Sequence, residues 1–209
     1  RNTLGPQYCL SAKPALLTSG AERAGQTNSS LYSLKGMRFF TVEEFNAGDS
    51  YNEACLKSVT DGVVVCRGVY RTDEEQFNLR CNGIGATNHI INVNSQDHGF
   101  WRRILHYNTK NKFVPNPDPT NPYERKVDYA YRSTYVFDPI WQQKFLSILV
   151  HWNVILRTKY GNDVNNIPIP TIRRESAEHR MRMDALDNYI ANTFVYSPEA
   201  DPISLDTVA

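Results

Sequence analysis

Two adjacent carboxylates, Glu43 and Glu44, close the run "FFTVEEFN" after four mostly apolar residues. Such a run has the composition of a buried strand, which sets the acids at its carboxyl end. A carboxylate pair there suits a metal–nucleotide site: one holds the hydration shell of Mg2+ while the next polarises an attacking water. The plainer reading is a strand running into a solvated turn. Further along, "ATNHI" ends a second apolar stretch with Asn88, which could orient a water, touch a terminal phosphate, or cap a turn. "WRRI" puts Arg102 and Arg103 after a loop, where one could reach nucleotide on a neighbouring subunit, or where both line a solvated face. Between the two stretches, "VVVCRGVYRTDEEQF" reads as a hairpin with Arg67 and Arg71 toward its tip, unless these are ordinary edge-strand charges. Four such pieces in one order are harder to explain as surface than any one alone.

A nucleotide site also needs donors for the phosphates. "TSGAERAGQTN" comes within one residue of G-x-x-x-x-G-K-[ST], but Gln26 stands where the lysine belongs. A working phosphate loop follows a buried strand and opens directly into a helix, whose amides hold the phosphates. Here Pro14 breaks the upstream stretch, and the downstream "NSSLYSLKG" is turn-like. The stretch is expected to be a loop and nothing more.

The elements that must position these residues are legible in outline. "NEACLKSVTDG" predicts a short helix stopped by Gly62, and "DHGFWRRILHY" a connection into a further strand or short helix. "VPNPDPTNP" carries four prolines and is expected to run as an extended linker. "DPIWQQKFLSILVHWNVILRTKYG" spaces Ile140, Phe145, Leu149, Trp152 and Leu156 at helical intervals, with Pro139 at its start and Gly161 at its end. Core packing is the expected role of Trp141, Phe145 and Trp152. "IPIPTIRRES" interrupts the pattern before a second helix, "ESAEHRMRMDALDNYIANTF", with Met183, Leu186 and Ile190 on one side. The division expected is 1–114, a linker at 115–122, and a helical region at 123–209.

Composition bounds these readings. The 209 residues are 41% hydrophobic and 22% charged, with 23 basic against 22 acidic residues and a formal charge of +1. That is ordinary for a globular protein and carries no overall basic signature of nucleic-acid binding. The longest apolar run, "FLSILVHW", is too short to span a bilayer. The four cysteines (Cys9, Cys55, Cys66, Cys81) show no C-x-x-C spacing, which argues against structural zinc and suits reduced thiols. The chain opens on Arg1 rather than methionine, and the expectation is a piece of a longer polypeptide.

Taken in order, the motifs resemble the superfamily 3 helicases of viruses, within the wider AAA+ class. The primase–helicases of the nucleocytoplasmic large DNA viruses (poxvirus, asfarvirus and iridovirus relatives) resemble it most. The resemblance rests on "LKGMRFFTVEEFN", "LKSVTDGVVVCRGVYRTDEEQFNLRCNGIGATNHI", "DHGFWRRI" and the later "IWQQKFLSILVHW…YG…IPIPTIRRES". It implies an α/β fold: the C-terminal part of an AAA+ P-loop NTPase core, a parallel sheet with a β-hairpin insertion, followed by a helical region. By position, Glu43 and Glu44 match the Walker B acids and Mg2+ ligands, Asn88 the first sensor, and Arg102 or Arg103 the arginine finger. Lys57, Asp61, Gly62 and Arg67 match the segment whose hairpin reaches DNA.

The resemblance further implies ATP as cofactor, a hexameric ring and single-stranded or forked DNA in its channel. It places the Walker A loop and any primase domain upstream, and the work at viral replication sites in the host cytoplasm or nucleus. Lys57, Arg67 and Arg71 would hold DNA phosphates, with Asp73, Glu74 and Glu75 opposing Arg71 locally. Two alternatives stay open. One keeps the fold as a catalytically incomplete module for oligomerisation or single-strand holding; the other is a structural or partner-binding viral protein with merely exposed acids.

Overall fold

The computed structural model describes residues 2–18, 29–68, 70, 72–93, 97–184, 189, 193 and 194. The near-miss loop around Gly20, Gly25, Gln26 and Thr27 therefore lies outside the described residues, as do Arg71, Leu186 and Ile190.

The chain is mixed α/β. Strand β1 (Cys9–Ala12) leads through a single 3-10 turn (Pro14–Leu16), and a one-turn helix α1 (Ser29–Tyr32) precedes β2 (Phe39–Glu43). Helix α2 (Glu53–Asp61) follows, then β3 (Val63–Cys66), β4 (Glu75–Asn78) and β5 (Asn82–Ala86). β1, β2 and β5 form a parallel sheet in that order, with Cys9 opposite Phe39 and Glu43 opposite Ala86. β3 and β4 pair antiparallel, Cys66 opposite Glu75, as a hairpin set between two neighbouring strands of the parallel sheet. The expected parallel sheet with a hairpin insertion is thus present.

The four residues of β1, "CLSA", carry too little pattern to predict a strand. β2 alternates as a half-covered strand should, with Phe40 and Val42 buried and Glu43 exposed. β5 reads "NGIGA", and its glycines have a packing reason. A Cβ on Gly83 would sit 2.2 Å from Cζ of Phe40, so the buried Phe40 ring needs the bare backbone opposite it. The core gathers Phe40, Val42 and Phe45 with Val64, Cys66, Phe77 and Leu79 of the hairpin, Val59 of α2, and Leu16, Leu17, Leu31 and Leu34. The hairpin's inner face is consequently part of the main core.

α2 forms as expected. Asn52 caps it by accepting from the Cys55 amide, and Gly62 ends it in the left-handed region at φ 77°. A one-turn helix, α3 (His98–Trp101), starts at the N-cap Asp97, and its Phe100 is fully buried against Leu56 and Val93.

The proline-rich stretch departs from expectation. β6 (Lys112–Val114) and β7 (Glu124–Lys126) pair with each other in parallel, so the segment between them loops back instead of running extended. Asx-type bonds hold the loop: Asp118 accepts from the Thr120 amide and hydroxyl, and Asn121 from the Tyr123 amide.

A π-helical turn (Tyr131–Tyr135) precedes α4 (Pro139–Tyr160), which Asp138 caps and Gly161 closes at φ 64°. The expected boundaries hold, but the expected core packing does not. None of α4's residues is buried; Trp141, Phe145 and Trp152 are 46%, 51% and 61% exposed. Periodicity identifies an apolar stripe without naming what covers it, and Trp141 instead stacks on Tyr135. The second helix, α5 (Pro170–Met183), begins five residues before the expected start at Glu175, because Pro170 is suited to a first helical turn. Its buried residues are Glu175 and His179, and Met183 packs against the Phe100 cluster. Among the described residues, no helix is long and apolar enough to cross a membrane.

Candidate functional site

The parallel register brings three of the sequence-predicted residues to one sheet edge. Glu43 is the last residue of β2, and its partner Ala86 is the last of β5. Asn88 follows two residues later, in a bend fixed by Thr87, whose hydroxyl oxygen accepts from the His89 amide at 2.9 Å. All three of Glu43, Glu44 and Asn88 are exposed. Glu44 has φ 61°, a left-handed backbone that a non-glycine residue adopts at a cost of about 1–3 kcal/mol. The adjoining Phe45 is 3% exposed and sealed into the core, which holds the kink in place. Two carboxylates and a carboxamide thus stand free of the core at the carboxyl ends of adjacent parallel strands, where open α/β sheets bind ligands.

The donor set fits Mg2+. This ion takes one or two carboxylates and keeps water and phosphate oxygens for its remaining positions. Among the described residues no cluster of three or more metal-binding side chains occurs, so a closed protein cage is not what this edge offers.

The paired arginines separate. Arg103 donates to the Asp61 carboxylate and to the Gly99 carbonyl, and its side chain is only 14% exposed. Arg102 is exposed, and its side chain carries no ion pair or hydrogen bond among the described residues. Lys57 is likewise engaged: its ammonium lies 2.6 Å from Asp97, the cap of α3. Bonds from Lys57 and from the Gly99 amide hold the Asp97 carboxyl below the usual carboxylate range. Lys57 and Asp61 are one turn apart on one face of α2, so two oppositely directed ion pairs staple α3 at both ends.

At the hairpin, Arg67 follows directly on β3 and is half-buried. Glu75 begins β4 and is turned inward, accepting from the Tyr32 hydroxyl at 3.0 Å and paired with Lys35. The acidic run is therefore reduced to Asp73 and Glu74 at the tip, both exposed. Tyr70 is a further candidate that the charged motifs alone do not single out. It is fully exposed with φ 62°, an aromatic ring projecting at the hairpin tip. The available signal was its place between Arg67 and Arg71, since interleaved basic and aromatic residues suit single strands.

A chain of ring contacts joins the acidic edge to the arginine segment. Phe45 meets Tyr51 (6.3 Å between centroids), Tyr51 meets Phe100 (6.1 Å), and Phe100 meets Trp101 (5.6 Å). Trp101 meets His179 of α5 (5.6 Å), which lies flat against His106 (4.5 Å, 10° between planes). Nothing in the sequence signals this, because 106 and 179 meet only through the fold.

No family model matches the chain. It is 34% identical over 200 residues to "Putative primase C962R" of African swine fever virus (strain Badajoz 1971 Vero-adapted), covering 96% of this chain and 21% of that protein. The version from the isolate Warthog/Namibia/Wart80/1980 gives the same figures. "Putative helicase L207/L206" of Acanthamoeba polyphaga mimivirus is 24% identical over 202 residues, covering 92% of this chain and 20% of that protein. The chain spans about a fifth of the length of these curated relatives. Matched over more than nine-tenths of its length by one stretch of each, the chain is a relative of the primase–helicase-type proteins of the nucleocytoplasmic large DNA viruses.

Proposed function

We propose that the chain is part of an ATP-dependent DNA helicase of viral genome replication, an AAA+ motor of superfamily 3 type. The observation that carries this reading is the sheet edge itself. Glu43 and Glu44 end one parallel strand, Asn88 follows its neighbour, and a hairpin bearing Arg67 and Tyr70 is inserted between the two. The names of the primase and helicase relatives support it.

In this reading Glu43 and Glu44 hold Mg2+ and activate water, and Asn88 orients that water against the terminal phosphate. Bound Mg2+ supplies charge neutralisation on the phosphate oxygens. Arg102 is the arginine offered to nucleotide on the neighbouring protomer, because Arg103 is committed to Asp61. Such an arrangement needs head-to-tail contacts that close into a ring, here a hexamer. The hairpin tips project into the ring channel and hold single-stranded or forked DNA. The phosphate loop belongs to another part of the longer polypeptide, as the span of the relatives suggests.

A second reading has its own support: no G-x-x-x-x-G-K-[ST] occurs in the 209 residues, so this stretch by itself suits a ring-forming or DNA-holding module. ATP turnover of the full-length polypeptide, with and without single-stranded DNA, separates the two. DNA-stimulated turnover lost in Glu43→Gln or Glu44→Gln supports the motor. A folded, nucleotide-binding protein without turnover supports the holding module.

A further inference from the structure

α5 carries two buried polar residues, Glu175 and His179, that the proposed chemistry does not use. Burying such groups is costly unless they are bonded, and their partners show what they hold. Glu175 accepts from the Asn108 amide at 2.7 Å. Ser176 accepts from the His106 amide at 2.8 Å and donates to the Ile172 carbonyl at 2.7 Å. His179 stacks on His106 and meets Trp101 edge to face. One face of α5, spaced i, i+1 and i+4, thus grips the chain at Trp101 and again at 106–108. Arg102 lies between those grips, and its neighbour Arg103 is fixed to Asp61 of α2.

We infer that Glu175, Ser176 and His179 are positioning residues, through which α5 fixes the backbone on both sides of Arg102 and so sets the reach of that guanidinium. The inference rests on the reading of Arg102 as the arginine offered to a neighbouring protomer. A long side chain aimed across a subunit boundary is only as well placed as the backbone that carries it, and a displacement near 1 Å costs about 100-fold in rate. Two staples to α2 and one clamp from α5 leave the Arg102 segment little freedom.

The test is steady-state ATP turnover by the full-length polypeptide, comparing Arg102→Ala, Glu175→Ala, Ser176→Ala and His179→Ala. Arg102→Ala is expected to lower kcat by at least 100-fold. The three α5 variants should lower kcat about tenfold with KM for ATP unchanged, since the phosphate and base contacts lie elsewhere. Glu175→Gln keeps an acceptor oxygen and His179→Phe keeps a flat ring, and both should restore turnover. Should His179→Ala fail to fold, Ser176→Ala, which removes one hydroxyl, carries the test. If Arg102→Ala abolishes turnover while Ser176→Ala and Glu175→Ala match the parent protein, the positioning role is overturned and the reading of Arg102 stands. Full turnover by Arg102→Ala overturns that reading and the inference with it.

Discussion

The Arg103 guanidinium is bound to the Asp61 carboxylate, while Arg102 beside it faces solvent. Asp61 is the last residue of α2, where a negative charge opposes the helix dipole, and Arg103 offsets it. The two arginines therefore predict opposite phenotypes. Arg103→Ala should lower the stability of the folded chain by about 1–2 kcal/mol, because it leaves the Gly99 carbonyl and Asp61 without their donor. Arg102→Ala should leave the urea midpoint unchanged. Equal midpoints for the two variants would contradict this division of labour.

At the hairpin, stacking and charge can be told apart by salt. Tyr70→Ala should weaken single-stranded DNA binding by about 1–3 kcal/mol, the worth of one base on one ring, with the salt slope intact. Arg67→Ala should weaken binding and flatten the slope by about 0.7, one phosphate contact on a single strand. Lys57→Ala should change neither, because Asp97 occupies its ammonium. Fluorescence anisotropy with a labelled oligonucleotide at several salt concentrations reads all three. A flattened slope in Lys57→Ala would return that residue to the DNA surface.

Gly83 and Phe40 form a packing pair across the parallel register. Gly83→Ala places a methyl where the Phe40 ring lies, and should destabilise the chain by about 1–3 kcal/mol. Phe40→Leu in the same chain should recover part of that loss, since a smaller side chain makes room. Additive losses in the double variant, measured by denaturant unfolding, would show that the ring moves aside without help.

What the sequence disclosed and withheld follows from the range of the interactions involved. The ends of α2 and α4 were legible because Asn52, Gly62, Asp138, Pro139 and Gly161 act within one turn. The acids of β2 were legible because an apolar run ending in Glu43 and Glu44 is a local pattern. The different surroundings of Arg102 and Arg103 were not, since they depend on Asp61, 42 residues from Arg103. The ion pair of Lys57 was hidden for the same reason, as Asp97 lies 40 residues on. Trp141, Phe145 and Trp152 were assigned to a core because helical spacing reports which residues share a face. It says nothing of whether another element lies against that face.

The stacked histidines predict a pH dependence of known sign. Burial first, then the nearby His106 and Arg182, lowers the pKa of His179 from 6.5 to about 4, with Glu175 one turn away on the same helix. In the unfolded chain the ring titrates near its ordinary value. Between those limits the unfolded state binds a proton that the folded state refuses, so stability falls as pH falls through the window. The contribution of a neutral His179 is whole above about 6.5 and lost below about 4. Allowing for solvent at the edge of the ring, the loss from pH 7 to pH 5 should be about 1–2 kcal/mol. His179→Phe keeps the stack and removes the proton site, so its urea midpoint should be flatter between pH 7 and pH 5 than that of the parent chain. Parallel profiles for the two proteins would show that the His106–His179 stack opens before it is protonated, leaving the bonds of Glu175 and Ser176 to hold α5 to the 106–108 segment.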